Sequence, residues 1–158
     1  MRHQIIDNFL PADQFKDLQD FMLGREIQWT FLDGVAMPGD GYHQFTKIFY
    51  NHFQPYPDFN RLGSVIQSIN PVSIVRIKAN MHLRTEEVIQ HPFHTDVDDC
   101  NTAIYYVNSN NGKTIFENGL EVESVENRLL VFDSNEKHTG TTCTDSLRTC
   151  VINFNYHL

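Results

Sequence analysis

The sequence predicts a mostly β domain with N-terminal helices. A chain of 158 residues suits a single hydrophobic core. Helical periodicity is confined to the part before Pro71. Beyond Pro71, short segments rich in Val, Ile, Thr and aromatic residues alternate with turn clusters. Many short strands with frequent turns favour a sandwich or barrel over alternating β/α units. The expected organisation is one domain over 1–158, with a helical layer at about 1–70 and a β core at about 71–158.

Residues 5–10 read as a short extended segment, after which Pro11 opens a helix, where its missing N–H costs nothing. Phe15, Leu18 and Met22 recur at helical spacing, so an amphipathic helix is expected over 12–23, ended by Gly24. From 29 to 59 the pattern breaks. Gly34, Pro38, Gly39, Gly41, Pro55 and Pro57 punctuate an aromatic-rich stretch that reads as a long loop, either a lid or an irregular cover. Leu62, Val65, Ile66 and Ile69 mark a second packing helix over 61–70. Strands are expected at 72–80, 102–107, 120–125, 128–132 and 149–155.

Twelve basic against twenty acidic residues leave a net charge of −8 with no Lys/Arg cluster, which disfavours a nucleic-acid partner. No apolar run reaches bilayer length, so no membrane association is expected. The first residues, Met1-Arg2-His3-Gln4, lack the apolar stretch of a secretory leader. Cys100, Cys143 and Cys150 are odd in number and show no CxxC pairing, which suits reduced thiols. The expected location is cytoplasmic. Oligomeric state is open.

His94-Thr95-Asp96 carries the first chemical signal. In extended backbone, residues i and i+2 share a face, so one imidazole and one carboxylate converge on a single ion. With eight histidines in the chain, an HxD pattern alone is close to chance and needs context. The context is His138, just past the apolar strand at 128–132. Two His and one carboxylate form the facial set that leaves positions open on Fe(II). Arg148 follows ten residues later, at the start of the last strand, where its guanidinium is expected to reach a bound dicarboxylate. His91, three residues before His94, falls on the opposite face of an extended strand. The acidic run at 96–99 lacks the glycine and terminal glutamate of an EF-hand loop.

From His94 onward the chain resembles the catalytic core of Fe(II)/2-oxoglutarate dioxygenases, in particular the prolyl 4-hydroxylase-like branch. The matching features, in order, are His94-Thr95-Asp96, Ala103-Ile104-Tyr105-Tyr106-Val107-Asn108, Gly112-Lys113-Thr114-Ile115-Phe116, Asn127-Arg128-Leu129-Leu130-Val131-Phe132, His138 and Arg148. Ile6-Asp7-Asn8-Phe9-Leu10-Pro11 followed by a helix also resembles that branch. The resemblance covers about two-thirds of the chain and fails over 29–59. It implies a double-stranded β-helix, or jelly-roll, core. It also implies a hydroxylase acting on a peptidyl or small-molecule substrate, with release of succinate and CO2. By position, His94, Asp96 and His138 would be catalytic as the iron ligands, with 2-oxoglutarate and O2 as cosubstrates and ascorbate as a candidate reductant. Arg148 and Tyr106 would hold the far carboxylate of 2-oxoglutarate, and alternation selects Tyr106 over Tyr105.

On the strand before the motif, Arg76, Lys78 and Asn80 alternate with Val75, Ile77 and Ala79. Relatives place a tyrosine or asparagine there to help hold the cosubstrate, whereas this chain offers Lys78 and Asn80, and Lys78 joins the cosubstrate set on that ground. Two other readings stand beside the oxygenase. One is a cupin-like metal-binding barrel that does not use 2-oxoglutarate. The other is a non-catalytic binding module on the same fold.

Overall fold

The computed structural model describes residues 3–158; Met1 and Arg2, part of the stretch read above for a leader, lie outside them. The chain begins with β1 (Gln4–Ile6), α1 (Ala12–Leu23), β2 (Thr30–Leu32), β3 (Gln44–Asn51) and β4 (Gln54–Pro55). A 3₁₀ turn (Phe59–Leu62) runs into α2 (Gly63–Ile69), which ends on Asn70 in the left-handed region. Then come β5 (Ser73–Leu83), β6 (Asn101–Tyr106), β7 (Lys113–Phe116), β8 (Glu121–Glu123), β9 (Arg128–Asp133), β10 (His138–Gly140) and β11 (Arg148–His157).

All strand pairs are antiparallel and form two sheets. The larger is 8-stranded in the order β1-β9-β6-β11-β5-β3-β2, with β4 beside β3. The smaller runs β10-β7-β8 and is extended by bridges joining Gln90 to Thr141 and His94 to His138. This is the jelly-roll core, with the helices on one side.

Period-2 alternation assigns the two faces of the large sheet. Ile77 and Ala79 of β5, Ala103 and Tyr105 of β6, and Cys150, Ile152 and Phe154 of β11 join Leu18, Met22, Leu62 and Val65 in the main core. Burying each large side chain of this set contributes roughly 1.5–3 kcal/mol, which secures the helices to the sheet. Ile104, Tyr106, Leu130 and Phe132 face the other way and pack on Phe116 and Val122 of the small sheet. This second cluster is smaller, and the space beside it is the pocket described below.

The first helix lies where its periodicity places it, over Ala12–Leu23 with Gly24 at its end. The segment at 29–59 does not. Residues 44–51 form a full strand of the large sheet, paired to β5 from Phe45↔Met81 to Tyr50↔Ile77. A central position beside β5 outweighs the glycines and prolines that flank this segment. The expected helical layer over 1–70 is therefore a mixed one, and β1 also joins the large sheet, against β9. No helix among the described residues is long and apolar enough to cross a membrane.

Candidate metal centre

Two backbone hydrogen bonds set the two histidines side by side. His94 N donates to His138 O and His138 N donates to His94 O, each at 3.0 Å. The ring centroids are 5.1 Å apart. Each Nδ1 meets a backbone carbonyl, Pro92 O for His94 and Glu136 O for His138, both at 3.1 Å. A carbonyl only accepts, so each Nδ1 carries the proton and each Nε2 presents a lone pair. Those Nε2 atoms lie 3.6 Å and 3.7 Å from the two Asp96 carboxylate oxygens, too far for hydrogen bonds. The three donor atoms fall within 4.8 Å of one another. Such a donor set fits a divalent cation of the imidazole-and-carboxylate class.

The surroundings orient and charge this set. Asn153 Nδ2 donates to Asp96 Oδ2 at 3.3 Å, and Arg76 Nη2 lies 3.4 Å from Oδ1. Burial acts to raise the Asp96 carboxyl, yet His138, Arg76 and His94 together hold it well below the usual carboxylate range. Burial lowers His94, which keeps it neutral and able to ligate. His138 is backed by the edge of Phe132, with centroids 4.9 Å apart.

From this centre a pocket runs between the sheets. Lys78, Asn80 and His82 of β5 line it, with Thr149, Val151 and Asn153 of β11 opposite. The pairings Lys78↔Asn153, Asn80↔Val151 and His82↔Thr149 put these residues on one face. Tyr106, across from Val151, donates its hydroxyl to Thr114 Oγ1 at 2.7 Å, and burial pushes its phenol up. Burial, with Arg76 nearby, lowers the Lys78 ammonium, and Asp96 opposes this. Asn80 Oδ1, His82 Nδ1 and Asn153 Oδ1 are buried without hydrogen-bond partners. Each such atom costs on the order of 1–3 kcal/mol, and three along one pocket is the pattern of a surface built to meet a ligand.

No family model matches this chain, and no curated protein matches it in sequence. Solved structures do match. A Trichoplax adhaerens prolyl hydroxylase, solved in complex with a hypoxia inducible factor oxygen degradation domain peptide fragment, superposes with TM-score 0.67 at 14% identity, over 98% of this chain and 83% of that one. A Burkholderia pseudomallei oxidoreductase of the 2OG-Fe(II) oxygenase family gives 0.66 at 11%, over 98% and 84%. A Pseudomonas putida prolyl-4-hydroxylase gives 0.60 at 17%, over 99% and 92%. The chain has the fold of the 2-oxoglutarate/Fe(II) oxygenases.

Within this oxygenase fold, the sequence-derived site residues divide. His94, Asp96 and His138 come together, and Tyr106 and Lys78 line the adjoining pocket. Arg148 does not join them, and its expected contact with a cosubstrate is corrected. It shares strand parity with Cys150 and Ile152, on the helix side of the sheet, and its Nη2 donates to Leu23 O at 2.7 Å. The pocket-facing position beside it belongs to Thr149.

Lys113 is no replacement, because its Nζ pairs with Glu121 at 2.6 Å on an exposed part of the small sheet. His91 stays out of the metal set and stacks on His82, with centroids 4.3 Å apart. Of the expected lid, only part covers the pocket. Val35 lines it, and backbone amides of Val35, Ala36, Met37 and Tyr42 all donate to Asp40, which holds that loop together.

Sequence reasoning missed His82, Thr114, Thr149 and Asn153. A readable signal existed for two of them. Thr149, Val151, Asn153 and Asn155 alternate with Cys150, Ile152 and Phe154, which separates a mainly polar face from an apolar one.

Proposed function

We propose that this chain is an Fe(II)- and 2-oxoglutarate-dependent oxygenase that hydroxylates a peptidyl or small-molecule substrate, releasing succinate and CO2. The observation that carries the reading is the convergence of two Nε2 lone pairs and one carboxylate beside a pocket of unpartnered polar groups. His94, Asp96 and His138 hold the iron, which supplies the oxygen chemistry when bound with 2-oxoglutarate and O2. The carbonyls of Pro92 and Glu136 fix both imidazole tautomers, and Asn153 and Arg76 aim the carboxylate. Lys78 and the Tyr106 hydroxyl bind the cosubstrate's carboxylates, with Thr149 and Thr114 completing the pocket by neutral donors. Ile104, Val151 and Phe132 keep water from this end.

The test is anaerobic loading with Fe(II) and 2-oxoglutarate. A weak visible charge-transfer band and slow succinate release are expected, both lost in His138→Ala. Absence of the band, together with wild-type behaviour of His138→Ala, rejects the oxygenase.

One observation favours a second reading. Arg148 points away from the pocket, as in a metal-binding barrel that has no use for a dicarboxylate. Titration of the metal-loaded protein with 2-oxoglutarate separates the two, since only the oxygenase binds it in a manner that Lys78→Met and Tyr106→Phe weaken.

A further inference from the structure

A second concavity begins where the metal centre ends. It encloses about 960 Å³ beside Arg76 and Val97, the latter adjacent in sequence to Asp96. Tyr50, Phe53, Ile66, Val72 and Ile74 supply its apolar wall. Phe53 is 92% exposed and Val72 82%, more than any other large apolar side chain among the described residues. Exposed apolar surface clustered on one groove marks a binding surface rather than scattered surface residues.

The charge of the groove runs against that of the chain. Twenty acidic residues give the protein a net −8, yet none of them lines this concavity, whereas Arg76, His52 and His157 do. Arg76 is the joint between groove and metal centre. Its Nη2 is at ion-pair distance from Asp96, but Nε and Nη2 are both buried without a hydrogen bond. The Arg76 side chain nonetheless keeps 19% of its surface exposed, and a planar guanidinium fork suits a carboxylate that meets it there. Asn51, Gln67 and Asn70 add amide side chains along the groove, able to pair with a peptide backbone.

We infer that this groove is the substrate cradle of the same centre, and that it takes an extended peptide segment. An acidic side chain of that segment ion-pairs with Arg76, and its apolar side chains lie against Phe53 and Val72. The inference rests on the oxygenase reading for its chemistry and names the substrate class that reading leaves open.

The experiment sorts a bead-displayed library of nonapeptides against the labelled full chain loaded with Zn(II) and 2-oxoglutarate, then sequences the retained pool. Asp or Glu is expected at one position with about tenfold enrichment, and Leu, Ile, Val or Phe within three positions of it. Arg76→Gln should erase the acidic preference and Arg76→Lys should keep part of it. The double variant Phe53→Ser/Val72→Ser, which changes neither Arg76 nor a metal ligand, should erase the apolar preference alone.

A pool without acidic enrichment overturns the proposal, as does an acidic preference that survives Arg76→Gln. An empty pool with octanoate bound instead overturns the peptide assignment. Zinc and 2-oxoglutarate stoichiometry are measured on every sample. Acidic enrichment on a chain that binds no metal supports the groove and rejects the oxygenase. Bound metal without acidic enrichment rejects the groove alone.

Discussion

Arg148 donates through Nη2 to the carbonyl oxygen of Leu23 at 2.7 Å, so the first residue of β11 fastens the last residue of α1. Its Nη1 also approaches Met81 Sδ, at 3.9 Å. The contact is structural. Arg148→Met should lower stability by about 1–3 kcal/mol, measured by urea unfolding, while the Kd for 2-oxoglutarate changes less than about twofold. A large loss of cosubstrate affinity with unchanged stability would return Arg148 to the pocket.

Lys78 and Tyr106 carry the opposite expectation. Both line the pocket, and Lys78→Met removes an ammonium while Tyr106→Phe removes a hydroxyl that a bound carboxylate would meet. Lys78→Met should weaken 2-oxoglutarate binding by roughly tenfold or more, and Tyr106→Phe by about tenfold, at the 1.4 kcal/mol per decade of binding. Isothermal titration of the Zn(II)-loaded protein reads both, without requiring turnover.

The buried imidazoles set a pH dependence. Burial pushes His82 down to about 3 and also lowers His91. Both bind protons more readily in the unfolded chain than in the folded one, so stability rises with pH across this window. As pH falls below the ordinary imidazole value near 6.5, His82 should remove up to about 1.4 kcal/mol per pH unit until its folded-state value is reached, and His91 acts in the same direction. Thermal melts of metal-free protein between neutral pH and the acid limit should show this decline, and His82→Phe should flatten it. A melt independent of pH over that range would contradict the buried, neutral state.

Asn127 ties the N-terminal segment to the β core. It stands in the left-handed region with φ 59°, which asparagine tolerates better than most residues. Its Oδ1 accepts from Leu10 N–H and from the Tyr105 hydroxyl, both at 2.9 Å, and its Nδ2 donates to Leu10 O at 2.8 Å. Asn127→Ala orphans three buried groups and should cost about 3 kcal/mol or more, with α1 becoming the first region to exchange its amides. Asn127→Asp keeps the two accepted hydrogen bonds but sets a buried carboxylate oxygen against Leu10 O, so it should be destabilising as well.

Local pattern determined a good deal of this protein. The 3.6-residue spacing of Phe15, Leu18 and Met22 with Gly24 behind them defines α1, and the Val/Ile/Thr-rich runs mark β5, β6, β8, β9 and β11. The spacing of His94 and Asp96 and the order of His138 after them were also legible, because ligands two apart on extended backbone need only local geometry to converge. Alternation likewise put Tyr106 with Ile104 on the pocket face and Tyr105 in the core.

Tertiary structure decided the rest. A strand's faces are equivalent until partners cover them, and a one-residue change of register exchanges every side chain between them. The sequence position of Arg148 is compatible with a cosubstrate contact. The pairing of β11 with β5, which sets Thr149 opposite His82, instead turns Arg148 to the helices. Residues 44–51 form a strand because β5 offers them an edge, which no propensity within the segment reveals. The unpartnered row of Asn80, His82 and Asn153 arises only when β5 and β11 lie side by side, since an orphaned polar atom is defined by what fails to surround it.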